Sequence, residues 1–245
     1  MNFSVFNLAQ AVLLVVWAVL VFGGFIFGAL DALRTRRMPT WMRMGSSLAL
    51  VLAAAGWYLL SRGTDIGAYA LWLLLGMTLG FIGDLFMAEL ILPGRLKGNH
   101  VLGGMASFGL GHVAYITGIV LLTQSLGLAF RWDALAIWLL IGFVGWLVVV
   151  YIGQPTSALH IAALPYALLL AGTAGVATGL AVQVPGFWLL ALGAALFLLS
   201  DLILAAQLFR DTHFYLIGDV VWLTYGPGQM LIVYSVSSAL GLGLL

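Results

Sequence analysis

Residues 134–200, ALAIWLLIGFVGWLVVVYIGQPTSALHIAALPYALLLAGTAGVATGLAVQVPGFWLLALGAALFLLS, decide the fold. Bounded by Asp133 and Asp201, they form 67 consecutive positions without a formal charge, whereas a helix crossing a bilayer takes about 20 apolar residues. The interval therefore holds more than two crossings, punctuated by Gly153-Gln154-Pro155 and Pro185-Gly186. The whole chain of 245 residues agrees: 64% is hydrophobic and 7% charged, against about 25% charged in an ordinary soluble domain. That excludes a soluble enzyme. A net charge of +1 offers no basic stripe for nucleic acid. The absence of cysteine excludes disulfides, thiolate nucleophiles and Cys-ligated zinc.

Outward from this stretch, cutting at charges, prolines and polar clusters predicts an all-α polytopic membrane protein with eight spans in a single domain. The predicted helices are 8–30, 44–61, 67–91, 99–123, 134–152, 159–182, 186–209 and 214–240. The first basic residue is Arg34, so the first run reads as a retained span rather than a cleaved leader. Arg34, Arg36, Arg37, Arg43, Arg95, Lys97 and Arg210 follow the odd-numbered helices, and only Arg62 and Arg131 lie on the other side. This asymmetry predicts that the first set faces the cytoplasm and that both termini lie outside. Trp41, Trp57, Trp132 and Trp188, near span ends, read as interfacial anchors.

Shifting the sequence by 117 residues aligns Gly76–Ile116 with Gly193–Val233 without a gap and with seven identities. These include Gly76/Gly193, Asp84/Asp201, Gly109/Gly226 and Gly111/Gly228, and His112 falls opposite Gln229. The pattern reads as a 4+4 parallel internal repeat, the two halves being four spans apart.

Three acids, Asp84, Asp201 and Asp219, fall inside spans, and Glu89 lies near a span end. A carboxylate at a helix centre costs about 2.5–3.5 kcal/mol to insert, so each is a candidate functional group. At 1.5 Å per residue all three acids reach a similar depth, towards the basic side, with His112 and Gln229 nearer mid-membrane. Helical periodicity puts Phe108, His112 and Tyr115 on one face, and Asp219, Trp222, Tyr225 and Gln229 within one arc of the last helix. The stripe Gly76, Gly80, Asp84 invites close approach of another helix to the acid-bearing face. One polar cavity with three acids at its mouth is the expectation. His100, His160 and His213 lie near span ends, where solvation accounts for them. No phosphate-cradling Gly-Lys-Ser/Thr loop, His-Glu-x-x-His pair or Gly-x-Ser-x-Gly elbow occurs. Lys97, the only lysine, lies in a loop, which excludes a Schiff base buried in a helix. No spacing signature for a metal is present and no cofactor is expected.

The segments Gly83-Asp84-Leu85-Phe86-Met87, Phe108-Gly109-Leu110-Gly111-His112-Val113-Ala114-Tyr115 and Leu196-Phe197-Leu198-Leu199-Ser200-Asp201-Leu202-Ile203-Leu204-Ala205 resemble the YhhN-like family of lysoplasmalogenases, as do Thr224-Tyr225 and Gln229. The resemblance runs over helices three, four, seven and eight. It implies an eight-span enzyme that hydrolyses the vinyl ether bond of lysoplasmalogens, a membrane lipid substrate, to a fatty aldehyde and a glycerophospho-ethanolamine or -choline. It further implies Asp84 and Asp201 as the catalytic pair, with Ser200 and His112 beside them.

The chemistry suits these residues. Vinyl ether hydrolysis starts with proton transfer to carbon and passes through an oxocarbenium ion, so one carboxylic acid and one carboxylate divide the work, as in glycoside hydrolysis. Asp84 is assigned as general acid and Asp201 as counter-charge or base, an order that the near-symmetry of the halves allows to be reversed. His112 would relay protons or fix the substrate. Tyr115, Tyr225, Gln229, Ser200 and Asp219 complete the expected substrate pocket, and Arg95, Lys97 or Arg210 would hold the phosphate. A proton-coupled transporter and a non-catalytic lipid-binding protein are the alternative readings.

Overall fold

The computed structural model describes residues 7–91, 99–154 and 157–242, and it is helical with no strand among them. Eight helices succeed one another. They are α1 (Leu8–Phe27), α2 (Thr40–Ser61), α3 (Gly67–Met87), α4 (Asn99–Ser125), α5 (Trp132–Tyr151), α6 (Ala158–Gln183), α7 (Trp188–Arg210) and α8 (Ile217–Tyr234). After a break at Ser235, α8 is extended by the short turn Val236–Leu240. Seven of the eight are long and apolar enough to cross a membrane. α8 falls short of that standard because Asp219, Gln229, Gly218, Gly226, Pro227 and Gly228 dilute its apolar content. Its polar side chains are buried against other helices, where lipid does not reach them.

The helix ends differ from the predicted ones for local reasons. α1 stops at Phe27 because Gly28 is extended, with the Arg37 carbonyl so close that a Cβ there would lie 2.1 Å from its oxygen. α2 starts at Thr40, directly after extended Pro39, whose carbonyl accepts from the Met42 N–H at 3.1 Å. α3 ends at Met87 and is followed by Glu89 at φ 56°. α8 is delayed to Ile217 by Leu216, at φ 62°.

α1 lies at the periphery on α2, and α5 likewise on α6. Their outward faces expose Val12, Val15 and Val19, and Ile137, Leu140 and Val144, as lipid-facing helices require. The remaining helices pack in the order α2–α3–α4–α6–α7–α8, and α8 closes back on α2. Without a hydrophobic drive between helices in lipid, small residues decide where backbones meet. α3 crosses α4 where a Cβ on Gly111 would lie 3.0 Å from the Gly76 carbonyl, and α7 crosses α8 where one on Gly228 would lie 2.8 Å from the Gly193 carbonyl. These are the glycines that the 117-residue shift pairs, and Asp84 and Asp201 each sit eight residues past the first of them. Trp41, Trp132 and Trp188 are exposed as expected of anchors. Trp57 is not: it is fully buried, edge-on to Tyr234 at 5.8 Å between ring centroids.

Candidate active site

Asp84 stands near the end of α3 and is 3% exposed. Its Oδ2 accepts from Ser47 Oγ at 2.5 Å and from the Tyr225 hydroxyl at 3.0 Å. Tyr225 in turn accepts from Gln229 Nε2 at 3.2 Å, and Gln229 Oε1 accepts from the Tyr115 hydroxyl at 2.7 Å. One hydrogen-bonded run thus joins α4, α8, α3 and α2. Glycine makes it fit: a Cβ on Gly76 would lie 2.3 Å from the Tyr115 ring, and one on Gly80 would lie 2.8 Å from Gln229 Nε2. The glycine stripe therefore makes room for side chains as well as for the backbone of α4.

Asp201, on α7, is half-buried. Tyr166 on α6 donates to its Oδ2, and Ser200 Oγ lies 3.2 Å from its Oδ1. Ser200 also donates to the Phe197 carbonyl at 2.7 Å. The carboxyl group stands on the wall of an apolar cleft of about 820 Å3, counted to its open side. Met87, Phe108, Trp146, Tyr166 and Leu208 are among its walls, so the cleft lies at the end of the bundle where α3, α5 and α7 finish. Asp84 does not line it.

No hydrogen bond joins the two carboxyl groups, but Tyr225, which donates to Asp84, packs edge-on against Phe108, which lines the Asp201 cleft. Aromatic rings fill the space around them. Phe197 meets Tyr225 edge-on at 5.0 Å, Phe108 meets Phe197 at 6.1 Å and Tyr225 at 6.0 Å, and His112 meets Phe197 at 4.5 Å. His112 is 1% exposed; its Nδ1 is 2.8 Å from Thr173 Oγ1 and its Nε2 has no partner. Among the described residues, no three His, Asp or Glu side chains converge as metal ligands would.

Asp84, Asp201, Ser200, His112, Tyr115, Tyr225 and Gln229 are thus brought together. Asp219 and Arg210 are not. Asp219 is 1% exposed, but its two oxygens accept from the backbone N–H groups of Arg37 at 2.5 Å and Met38 at 3.0 Å, so it holds the loop before α2 instead of lining a cavity. Arg210 directs its guanidinium to the carbonyls of Val148, Val149 and Ile152, which the π-helical last turn of α5 leaves open. Arg95 and Lys97 lie outside the described residues. Glu89 sits 3.8 Å from His100, and its side chain is largely exposed.

Ser47, Tyr166 and Thr173 escaped the sequence reading, and Arg43 entered it only as an orientation signal. Ser47 and Arg43 lie one helical turn apart on α2, and Tyr166 and Thr173 two turns apart on α6, so a helical polar stripe was the available signal.

Together these features define a polytopic helical membrane protein in which Asp84 and Asp201 lie on helices apolar enough to span a membrane, Asp201 on the wall of an apolar cleft. The chain belongs to the YhhN family, the lysoplasmalogenase family, whose sequence profile matches residues 38–236. No curated protein and no solved structure matches it.

Proposed function

We propose that this protein hydrolyses the vinyl ether bond of lysoplasmalogens within the membrane. The observation that carries this reading is the Asp201 carboxyl group on the wall of an apolar cleft, with a second carboxyl group, Asp84, nearby but outside the cleft. An alkenyl chain fits the lining, and its ether end would lie against Asp201.

The same geometry supports the reversed division of labour, with Asp201 as acid and Asp84 as counter-charge. Asp201 is the carboxyl group that faces the cleft, whereas Asp84 is held outside it by Ser47 and Tyr225. Asp201, in its protonated form, transfers its proton to the vinyl carbon β to the ether oxygen. The resulting oxocarbenium ion lies beside Phe108 and is stabilised by ring faces and by the Asp84 charge. Water adds to the cationic carbon and returns a proton to Asp201. The hemiacetal then collapses, its hydroxyl proton passing to the departing glycerol oxygen, which gives the aldehyde and the glycerophospho compound. His112 packs behind that wall, edge-on to Phe197 and bonded to Thr173, and its buried Nε2 has no partner.

The basic end of the bundle, with Arg36, Arg37 and Arg43, is assigned to the cytoplasm by the same proposal. The test is product analysis by mass spectrometry after incubating the detergent-purified protein with lysoplasmalogen. Fatty aldehyde is expected without any gradient. The run from Tyr115 to Ser47 would also suit a proton-coupled transporter, which would release no aldehyde and would need sealed vesicles.

A further inference from the structure

Arg43 is a charged group near Asp84 that the proposed chemistry does not use. It projects from the first turn of α2, half-buried, with its guanidinium carbon 5.6 Å from the centre of the Trp222 ring. Nη2 donates to Thr40 Oγ1 at 3.0 Å, whereas Nε is buried and has no partner. It makes no ion pair with any described residue. The charged groups that face it are Asp84 on α3, Asp219 on α8 and Arg36 in the loop before α2.

Neither acid neutralises it by contact. Asp219 is committed to the Arg37 and Met38 backbone, and Asp84 to Ser47 and Tyr225. Arg36 adds a second, repelling positive charge, offset only by Asp31 at 3.8 Å. A guanidinium offers five donors in a planar fork, and a buried one without an acceptor is expensive. Thr40, its one partner, also lines a second, more polar cleft of about 850 Å3 shared with Gly28, Asp31, Arg36 and Arg37. Arg36 lines this cleft, and Arg43 stands behind its wall, bonded to Thr40 and with a donor unused; two cations so placed suit an anion with several oxygens.

We propose that Arg43, assisted by Arg36, binds the phosphate of a lysophospholipid substrate and so sets the position of the ether bond relative to the carboxyl pair. This inference rests on the reaction proposed above and names its phosphate-binding residues, in place of Arg210, which is engaged elsewhere. Arg43 is here a binding residue and takes no part in proton transfer.

The test compares two substrates, a lysoplasmalogen and the corresponding alkenylglycerol without phosphate, in the wild type, R43Q and R43K. The expected result is that the wild type prefers the phosphorylated substrate in kcat/KM and that R43Q shrinks this preference about 10- to 100-fold, mainly through KM, as loss of hydrogen bonds to a charged group implies. R43K should recover part of it, since it keeps the charge but not the fork. A preference unchanged in R43Q, or absent from the wild type, overturns the phosphate site while leaving the reaction standing. Absence of aldehyde from both wild-type substrates overturns the reaction. In that event, retention of lysophosphatidylethanolamine, an unreactive acyl analogue, is compared by native mass spectrometry. Loss in R43Q with retention in R43K supports the site, and equal retention in R43Q and the wild type overturns it. Equal melting temperatures of the wild type and R43K ensure that the comparison is made on folded protein.

Discussion

Hydroxyl groups distinguish the surroundings of the two carboxyl groups, Ser47 and Tyr225 at Asp84 and Tyr166 and Ser200 at Asp201. Tyr166 donates to Asp201 from across the cleft wall, and it is the side chain that orients the group assigned the proton. Replacing Tyr166 by Phe should leave the fold intact and lower kcat, with a shifted pH–rate profile, because the acid would then be less well positioned. An unchanged profile and rate would show that Tyr166 is only a packing residue. On the other carboxyl group, S47A removes one of two hydrogen bonds to the same oxygen. A moderate fall in kcat, about tenfold, is expected from one lost bond to a charged group. Steady-state aldehyde release at saturating substrate measures both.

At the scale of elements, the loop before α2 is held by two acids. Asp31 accepts from Thr35 Oγ1 at 2.6 Å and from the Thr35 and Arg36 amides. The Thr35 hydroxyl is the main influence that holds the Asp31 carboxyl below the usual carboxylate value; desolvation opposes it, and the Arg36 and Thr35 N–H groups and the Arg36 charge add to the lowering. Because its folded value is lowered, the contribution of Asp31 is complete above the ordinary value of about 4 and is lost as pH falls through the lowered one. Lower amide protection factors at Thr35 and Arg36 on acidification, and already at neutral pH in D31N, are the expected outcome. Asp219 anchors the same loop to α8, so D219A should lower the melting temperature, corresponding to about 1.5–3 kcal/mol. It should leave some aldehyde release in the folded fraction; complete loss of activity with normal stability would return Asp219 to the substrate pocket.

The helix content and the two acid-bearing helices were legible in the sequence because charge-free length and isolated carboxyl groups are visible along the chain. Asp219 was misplaced because insertion cost marks a carboxylate as needing partners without saying which ones. Its partners are backbone amides about 180 residues away, and only the packed structure supplies them. Ser47 and Tyr166 were missed for the converse reason: a hydroxyl in an apolar helix is inexpensive and gains significance only from the carboxyl group opposite. The short α8 likewise keeps its polar residues because it is walled in by α2, α3 and α7.

For the whole molecule, two glycine crossings bring α3 and α7 into the bundle with their acids at corresponding positions. A side chain at Gly228 would meet the Gly193 carbonyl and the Phe197 amide, so G228L should separate α7 from α8 and lower both thermal stability and activity. The absence of native cysteine makes sidedness directly measurable. Cysteines introduced at Thr64 and Thr212, at opposite ends, should react with an impermeant reagent from the outside and only after lysis, respectively. The reverse labelling would overturn the orientation.

The central claim is that two intramembrane carboxyl groups cleave a vinyl ether, and it is tested most directly by aldehyde release from lysoplasmalogen in detergent by the wild type, D84N and D201N. Release by the wild type and loss in both folded variants is the result the account predicts. Full release by either variant would contradict it.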